Sequence, residues 1–191
     1  MLLVDPETRR RRIAEVTVDV IARDGLEAAT IRRIAAEIGC STAFITHYFS
    51  DKQQLLLCAY RALAQQTQEE VAAVIARDPA DTAGALIAMT ATNQTSMRRW
   101  RLYIAFWDRA SRDALFAEER QLHLKRALEH LIGIVQIRYG ERPDVESICY
   151  LLIALVQGLS VQALTHQRHR SNEELRELFA RQLQMLLGEP P

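Results

Sequence analysis

Glycine and proline, the residues that most often interrupt helices, are scarce in this sequence. Its 191 residues include seven glycines and five prolines, while 49% of the residues are apolar and 25% are charged. This composition excludes a disordered chain and a loop-rich β fold, and it supplies enough apolar side chains for a core. We therefore predict a folded protein that is rich in helix.

Cysteine is also scarce. Cys40, Cys58 and Cys149 are far apart and form no Cys-x-x-Cys pair, so they do not make a disulfide framework. We interpret them as reduced thiols, which are typical of the cytoplasm. The apolar segment Met1–Val4 is too short for a signal peptide, and no apolar run reaches membrane-spanning length. The sequence thus predicts a cytoplasmic protein with no membrane partner.

Charge of one sign is not in excess. The formal net charge is zero, and the basic and acidic residues of positions 1–52 also balance. Only the positions of the charges, and not their sum, can therefore indicate a nucleic-acid partner. The one dense basic segment is the run of four arginines Arg9–Arg12. This run either approaches a DNA backbone or forms a solvated helix face, and the sequence leaves both interpretations open.

Signatures of catalysis are missing. The sequence has no glycine-rich phosphate loop, no His-Glu-x-x-His motif and no nucleophile elbow. His123 and His130 lie on one predicted helix, where a metal site would need a third ligand such as Glu146 or Cys149. The same spacing is typical of two histidines on the polar face of an amphipathic helix. We predict no enzymatic activity, no cofactor and no metal.

Apolar residues recur with helical spacing along nearly the whole chain. Capping residues predict where the first four helices begin, namely Asp5 with Pro6, Thr30, Ser41 and the capping-box pattern Ser50–Gln53. Five further helices are predicted over residues 82–95, 97–109, 112–139, 143–165 and 173–187. The predicted fold class is all-α, with about nine helices.

The second and third predicted helices have the pattern of a helix-turn-helix. This motif needs a small residue where the helices cross, a glycine in the turn and an apolar anchor in the second helix. Ala35, Gly39 and Ile45 occupy these positions, and Ile34 and Ile38 face inward. The pattern predicts a DNA-binding unit formed by the first three helices.

Residues 30–56 resemble the DNA-binding signature of the TetR family of repressors. Within that family the chain is most similar to BetI-type regulators of choline and betaine metabolism. The shared details are Asp24-Gly25, Ser41-Thr42, His47-Tyr48-Phe49, Lys52 and Ala105-Phe106-Trp107. The resemblance implies a helix-turn-helix DNA-binding domain over residues 1–52 and a helical ligand-binding and dimerisation domain over residues 53–191.

The resemblance also implies how such a protein works. A homodimer would bind a palindromic operator in double-stranded DNA, with the third helix of each copy in the major groove. A small molecule bound by the C-terminal domain would release the DNA. DNA contacts are expected from Thr30, Ser41, Thr42, Ala43, Thr46, His47, Tyr48 and Lys52.

Aromatic residues cluster on the sixth predicted helix, where Trp100, Tyr103 and Trp107 share one face. In a helical bundle this face forms either core or the apolar wall of a ligand pocket, and aromatic faces attract quaternary ammonium ions. A choline-like cation is therefore a candidate effector. The candidate pocket residues are Met89, Asn93, Met97, Trp100, Tyr103, Trp107, Phe116, Tyr150 and Gln157.

The last two predicted helices have the composition of an interface. Residues 150–156 are apolar almost all round, Gly158 and Ser160 are small, and leucines follow one side of the final helix. We predict a four-helix interface between two copies of the chain. A helical enzyme and a helical adaptor that binds only proteins remain as alternatives. Catalytic turnover or bound zinc would favour the enzyme, and a DNA footprint would exclude the adaptor.

Overall fold

The computed structural model describes residues 5–165 and 170–189. Over these ranges the chain forms nine α-helices and one short 3₁₀ turn, Leu26–Ala28, and no strand. The helices are α1 Pro6–Asp24, α2 Ile31–Ile38, α3 Thr42–Tyr48, α4 Lys52–Ile75, α5 Thr82–Met89, α6 Gln94–Ala110, α7 Ala114–Tyr139, α8 Val145–Thr165 and α9 Asn172–Leu187. The predicted all-α fold is confirmed.

The first of two compact units contains the chain up to Gln65 together with Arg101–Glu119. Its core joins the inner stripe of α1 to apolar side chains of α2, α3, the first half of α4, the second half of α6 and the first turn of α7. Fully or almost fully buried members of this core are Ile13, Val20, Ile34, Ile45, Phe49, Leu55, Leu63, Phe106 and Phe116. The three N-terminal helices are thus fixed to one common core.

The second unit contains Gln66–Trp100 and the chain from Arg120 onward. Here α5 packs against α8 and α9, and Val71 of α4 contributes to a small cluster with Ala85 and Ile134. The α4, α6 and α7 helices each supply residues to both units. The predicted boundary after residue 52 separates two functions, whereas the two units described here are defined by packing. That boundary stays a prediction.

One predicted helix cap is wrong, and so is the predicted boundary between the fifth and sixth helices; local capping explains both. The Asp51 carboxylate, and not Ser50, accepts from the backbone N–H of Gln54 at 2.8 Å, so Asp51 caps α4. The predicted helix over residues 82–95 ends at Met89. Asn93 caps α6 instead, because its side chain accepts from the backbone N–H of Ser96 at 3.0 Å and the Ser96 hydroxyl accepts from that of Asn93. Side chains of this type offer the backbone an alternative to helix continuation.

The expectation that no segment reaches membrane-spanning length is wrong for α8 as judged by length and composition. Val145–Thr165 is 21 residues long and apolar enough to pass such a test, with only a third of the tested window buried. Leu152 and Val156 are buried on one side, whereas Tyr150, Leu151 and Val161 are exposed on another. A helix that is apolar on two sides is typical of one that is covered on both.

Candidate DNA-binding interface

The turn between α2 and α3 is fixed by its glycine and by the caps on either side. The Thr30 hydroxyl accepts from the Arg33 backbone N–H, and the Ser41 hydroxyl accepts from that of Phe44, both at 3.2 Å. Gly39 has φ +77°, a left-handed conformation that residues with a Cβ rarely adopt. Its N–H donates to the Ala35 carbonyl at 3.0 Å, which ends α2.

The α3 helix has one buried side and one exposed side. Ile45 and the following Phe49 have no exposed surface and lie in the core of the first unit. Four residues predicted to contact DNA lie on the exposed side, namely Thr42, Ala43, Thr46 and His47. Hydroxyl, methyl and imidazole groups therefore lie on the exposed side of a helix whose other side packs into the core. These groups can form hydrogen bonds with base edges or pack against them.

Tyr48 lies half-buried at the C-terminal end of α3. Its ring makes edge contacts with Phe44 and His47, with ring centroids 5.3 and 5.0 Å apart. Its hydroxyl oxygen accepts from Arg9 Nη1 at 3.2 Å. The ring is therefore used for packing, and the hydroxyl proton remains free to donate to a further acceptor.

The run Arg9–Arg12 divides into two pairs. Arg10 Nη1 donates to the Tyr48 carbonyl oxygen at 2.8 Å, and its guanidinium carbon lies 4.9 Å from the centroid of the Phe49 ring. Arg11 and Arg12 instead form ion pairs with Glu15, at 3.3 and 3.5 Å. The sequence suggested a DNA contact or a solvated helix face for this run, but not the contacts of Arg9 and Arg10 with Tyr48. These residues are 39 and 38 positions from Tyr48 and meet it only in the folded unit.

Lys52 lies at the start of α4 and contacts an acidic residue of the 3₁₀ turn. Its Nζ is 3.0 Å from both the carbonyl oxygen and the carboxylate of Glu27. Hydrogen bonding and the charge of Lys52 lower the pKa of the Glu27 carboxyl, with a smaller contribution from Arg109. A cation predicted to contact phosphate is therefore paired with a carboxylate.

Arg32 is an exposed cation on α2 that sequence reasoning did not single out. Its neighbour Arg33 pairs with Asp24 at 3.0 Å, and Arg23 pairs with Glu37 at 3.0 Å. Across residues 5–165 and 170–189, Arg32 has no ion-pair partner. Arg32 lies two positions after Thr30, a predicted phosphate contact, and this proximity could have marked it as a further candidate for DNA contact.

The structure assigns the nine candidate pocket residues to different units. In the second unit Met97 and Trp100 are buried, and the Trp100 indole N–H donates to the Met89 carbonyl at 3.0 Å. Asn93 is exposed as the cap of α6, and α8 carries half-buried Gln157 and exposed Tyr150.

The remaining three candidates belong to the first unit. Tyr103 and Trp107 are half-buried and stack with ring centroids 6.3 Å apart, and Tyr60 meets Tyr103 edge-on at 5.9 Å. Phe116 is buried against Phe106, with centroids 6.0 Å apart, and is part of the core. The pocket assignment as a whole stays a prediction.

The histidines and cysteines are possible metal ligands and reactive groups. No group of three His, Cys, Asp or Glu side chains in the described part of the chain could bind a metal ion. Burial raises the pKa of the Cys149 thiol to about 11 and also raises that of Cys58. Neither thiol has the lowered pKa that is typical of reactive cysteines.

Comparison with known proteins agrees with this geometry. Residues 13–59 match the family of bacterial regulatory proteins of the tetR type, and residues 80–188 match the C-terminal domain of BetI-type transcriptional repressors. The transcriptional regulator BetI of Klebsiella pneumoniae is 31% identical over 81% of this chain and 82% of its own.

Solved structures have the same fold. A transcriptional regulator from Rhodococcus sp. Rha1 aligns with a TM-score of 0.79 and 27% identity over 98% of both chains. A regulator from Saccharomonospora viridis, solved in complex with choline, aligns with a TM-score of 0.74 and 23% identity over 93% of this chain and 96% of its own. The chain therefore belongs to the TetR family of bacterial transcriptional regulators, which are not enzymes, and it has a BetI-type C-terminal domain.

Proposed function

We propose that two copies of this chain bind a near-palindromic operator in the bacterial cytoplasm and repress transcription until a small cation binds. The proposal depends on the exposure of the polar side of α3, whose opposite side is fixed to the core by Ile45 and Phe49. Two such helices about one DNA turn apart, roughly 34–36 Å, would read two half-sites.

The DNA contacts divide by chemistry. Thr42, Ala43 and His47 are exposed on α3 and would reach base edges in the major groove. Phosphate contacts would come from Thr30, Ser41, Thr46, Tyr48 and Lys52, and we add Arg32 because it is exposed and carries no ion pair in the described residues. Phosphate contacts fix the register of the protein on DNA but carry no sequence information. Residues 1–52 form the DNA-binding domain in this proposal, and residues 53–191 form the remainder.

The dimer interface would be the exposed apolar side of α8 together with α9. Tyr150 and Leu151 are each 55% exposed and Met185 is 78% exposed. Exposed Ala154 and Gly158 follow on the same side of α8 and permit close approach of a second helix. Covering this side removes the apolar surface that makes α8 resemble a membrane helix.

The proposed effector is a choline-like cation. The choline complex of the Saccharomonospora viridis regulator supports this ligand class, as does the resemblance to BetI-type regulators of choline and betaine metabolism. In the first unit, Tyr103 and Trp107 stack beside Tyr60 and present aromatic faces, which attract quaternary ammonium ions. To switch the protein usefully, the cation must favour the DNA-free form by a few kcal/mol.

Fluorescence anisotropy with a labelled duplex tests the proposal. The duplex is selected from a random pool by the purified protein, and the DNA upstream of the protein's own gene is tested in parallel. We expect a near-palindromic consensus, two protomers per duplex and loss of binding on adding choline, with sodium chloride at equal ionic strength as the control. A duplex bound by one protomer would overturn the dimer, and binding unaffected by choline would overturn the effector.

A further inference from the structure

Arg10 contacts the C-terminal end of α3 in two ways. Its guanidinium donates to the Tyr48 carbonyl oxygen at 2.8 Å and lies over the Phe49 ring at 4.9 Å from the centroid. Arg10 is half-buried, whereas the adjacent Arg11 and Arg12 are exposed. The two contacts connect α1 to the last residue of α3 and to the residue after it.

The end of α3 needs such a partner. The helix has seven residues, and the residue that follows it, Phe49, is extended, so the left-handed glycine that often satisfies the last carbonyls is missing. A helix this short does not persist by itself, so its position depends on packing and caps. Its last carbonyls carry partial negative charge, and a cation that donates to one of them is favourable.

We propose that Arg10 is a positioning residue for the recognition helix. It acts through the Tyr48 carbonyl and the Phe49 ring, and it sets the angle at which Thr42, Ala43 and His47 meet the bases. It does not itself bind phosphate. This inference rests on the proposed function, because a recognition helix has a role only if the protein binds DNA.

The neighbouring arginines supply the contrast. Arg9 reaches the same end of α3 but donates to the Tyr48 side-chain hydroxyl and not to the backbone. Arg11 lies on the exposed side of α1 and pairs with Glu15. If the arginine run acted only through its charge on DNA, replacing Arg10 or Arg11 would have similar effects. If Arg10 acts as proposed, the two replacements differ.

The test compares Arg10→Met with Arg11→Met, each measured against the selected duplex and against a scrambled duplex at several salt concentrations. We expect Arg10→Met to weaken binding to the selected duplex about tenfold and to the scrambled duplex at most about twofold, with an unchanged salt slope. Arg11→Met should weaken both duplexes equally and modestly. Arg10→Lys, which keeps a cation near the carbonyl, should recover part of the discrimination.

Other outcomes overturn the proposal. Equal losses on both duplexes, with a salt slope smaller by about one, would make Arg10 a phosphate contact. A lower melting temperature with unchanged discrimination in the folded protein would make it a purely structural residue.

Hydrogen exchange in the DNA-free protein separates failure of this inference from failure of the proposed function. If the wild-type protein binds no duplex, the proposed function fails, but Arg10 can still be tested. We expect the amides of residues 46–49 to exchange about tenfold faster in Arg10→Met than in Arg11→Met, with α2 unchanged. Equal exchange of these amides in both variants would overturn the positioning role.

Discussion

Replacing Glu27 by glutamine should strengthen DNA binding, because Glu27 pairs with Lys52, the cation that we propose binds an operator phosphate. Lys52 Nζ lies 3.0 Å from the Glu27 carboxylate, and the Glu27 side chain is 81% exposed. When Lys52 moves to a phosphate, this ion pair must break. The neutral amide introduced by Glu27→Gln keeps the shape of the side chain but removes the competing charge.

The size of the effect follows from the exposure of the pair. Exposed ion pairs contribute about 0.2–1 kcal/mol, so removing this competition should tighten operator binding about 1.5- to fivefold. The lowered pKa of Glu27 fixes the pH dependence. The carboxylate stays charged at neutral pH and loses its charge only below the ordinary range of a glutamate, so the variant and the wild type should differ throughout the neutral range and converge at acidic pH.

A double-mutant cycle isolates the pair from the general effect of removing one negative charge near DNA. Anisotropy is measured for Glu27→Gln and Lys52→Gln, alone and combined, with the selected duplex. We expect the gain from Glu27→Gln to disappear in the Lys52→Gln background. An equal gain in both backgrounds, or no gain in either, would refute the competition between Glu27 and phosphate.

Three further predictions concern the core, the interface and a buried thiol. Ile45→Ala should lower the free energy of unfolding by about 2–5 kcal/mol in denaturant titrations, because Ile45 is fully buried; a loss below about 1 kcal/mol would contradict the anchoring of α3. Leu151→Glu should give monomers in sedimentation velocity, because it puts a charge into the proposed dimer interface. Ile137→Glu, at a similarly exposed site on α7, should leave the dimer intact. A dimeric Leu151→Glu protein would place the interface elsewhere. Burial raises the pKa of Cys149 from its ordinary value of 9.0 to about 11. The contribution of the protonated thiol to the free energy of unfolding should therefore be fully present below about pH 9 and be lost between about pH 9 and pH 11. Over this range the wild type should lose stability more steeply than Cys149→Ala, and parallel profiles would contradict the burial of the thiol.

Much of the DNA-binding unit was predictable because its signals are local. Thr30 and Ser41 are good N-caps, and Gly39 takes the left-handed conformation for which glycine is suited. Each of these signals acts within a few residues, so the sequence alone places α2 and α3 correctly.

What the sequence missed depends on distance or on competition between caps. The contact between Arg10 and Tyr48 joins residues 38 positions apart, and that between Lys52 and Glu27 joins residues 25 apart. Ser50 looked like the cap of α4, but the adjacent Asp51 takes that role. The exposed side of α8 could not be told from its buried side, because both are apolar.

In the proposed function, the exposed side of α3 reads the DNA sequence. The most direct measurement is the ratio of affinities for the selected and scrambled duplexes in the double variant Thr42→Ala with His47→Ala. We predict that this ratio falls by about 10- to 100-fold, while affinity for the scrambled duplex changes little. A double variant that discriminates between the two duplexes as well as the wild type would contradict the claim.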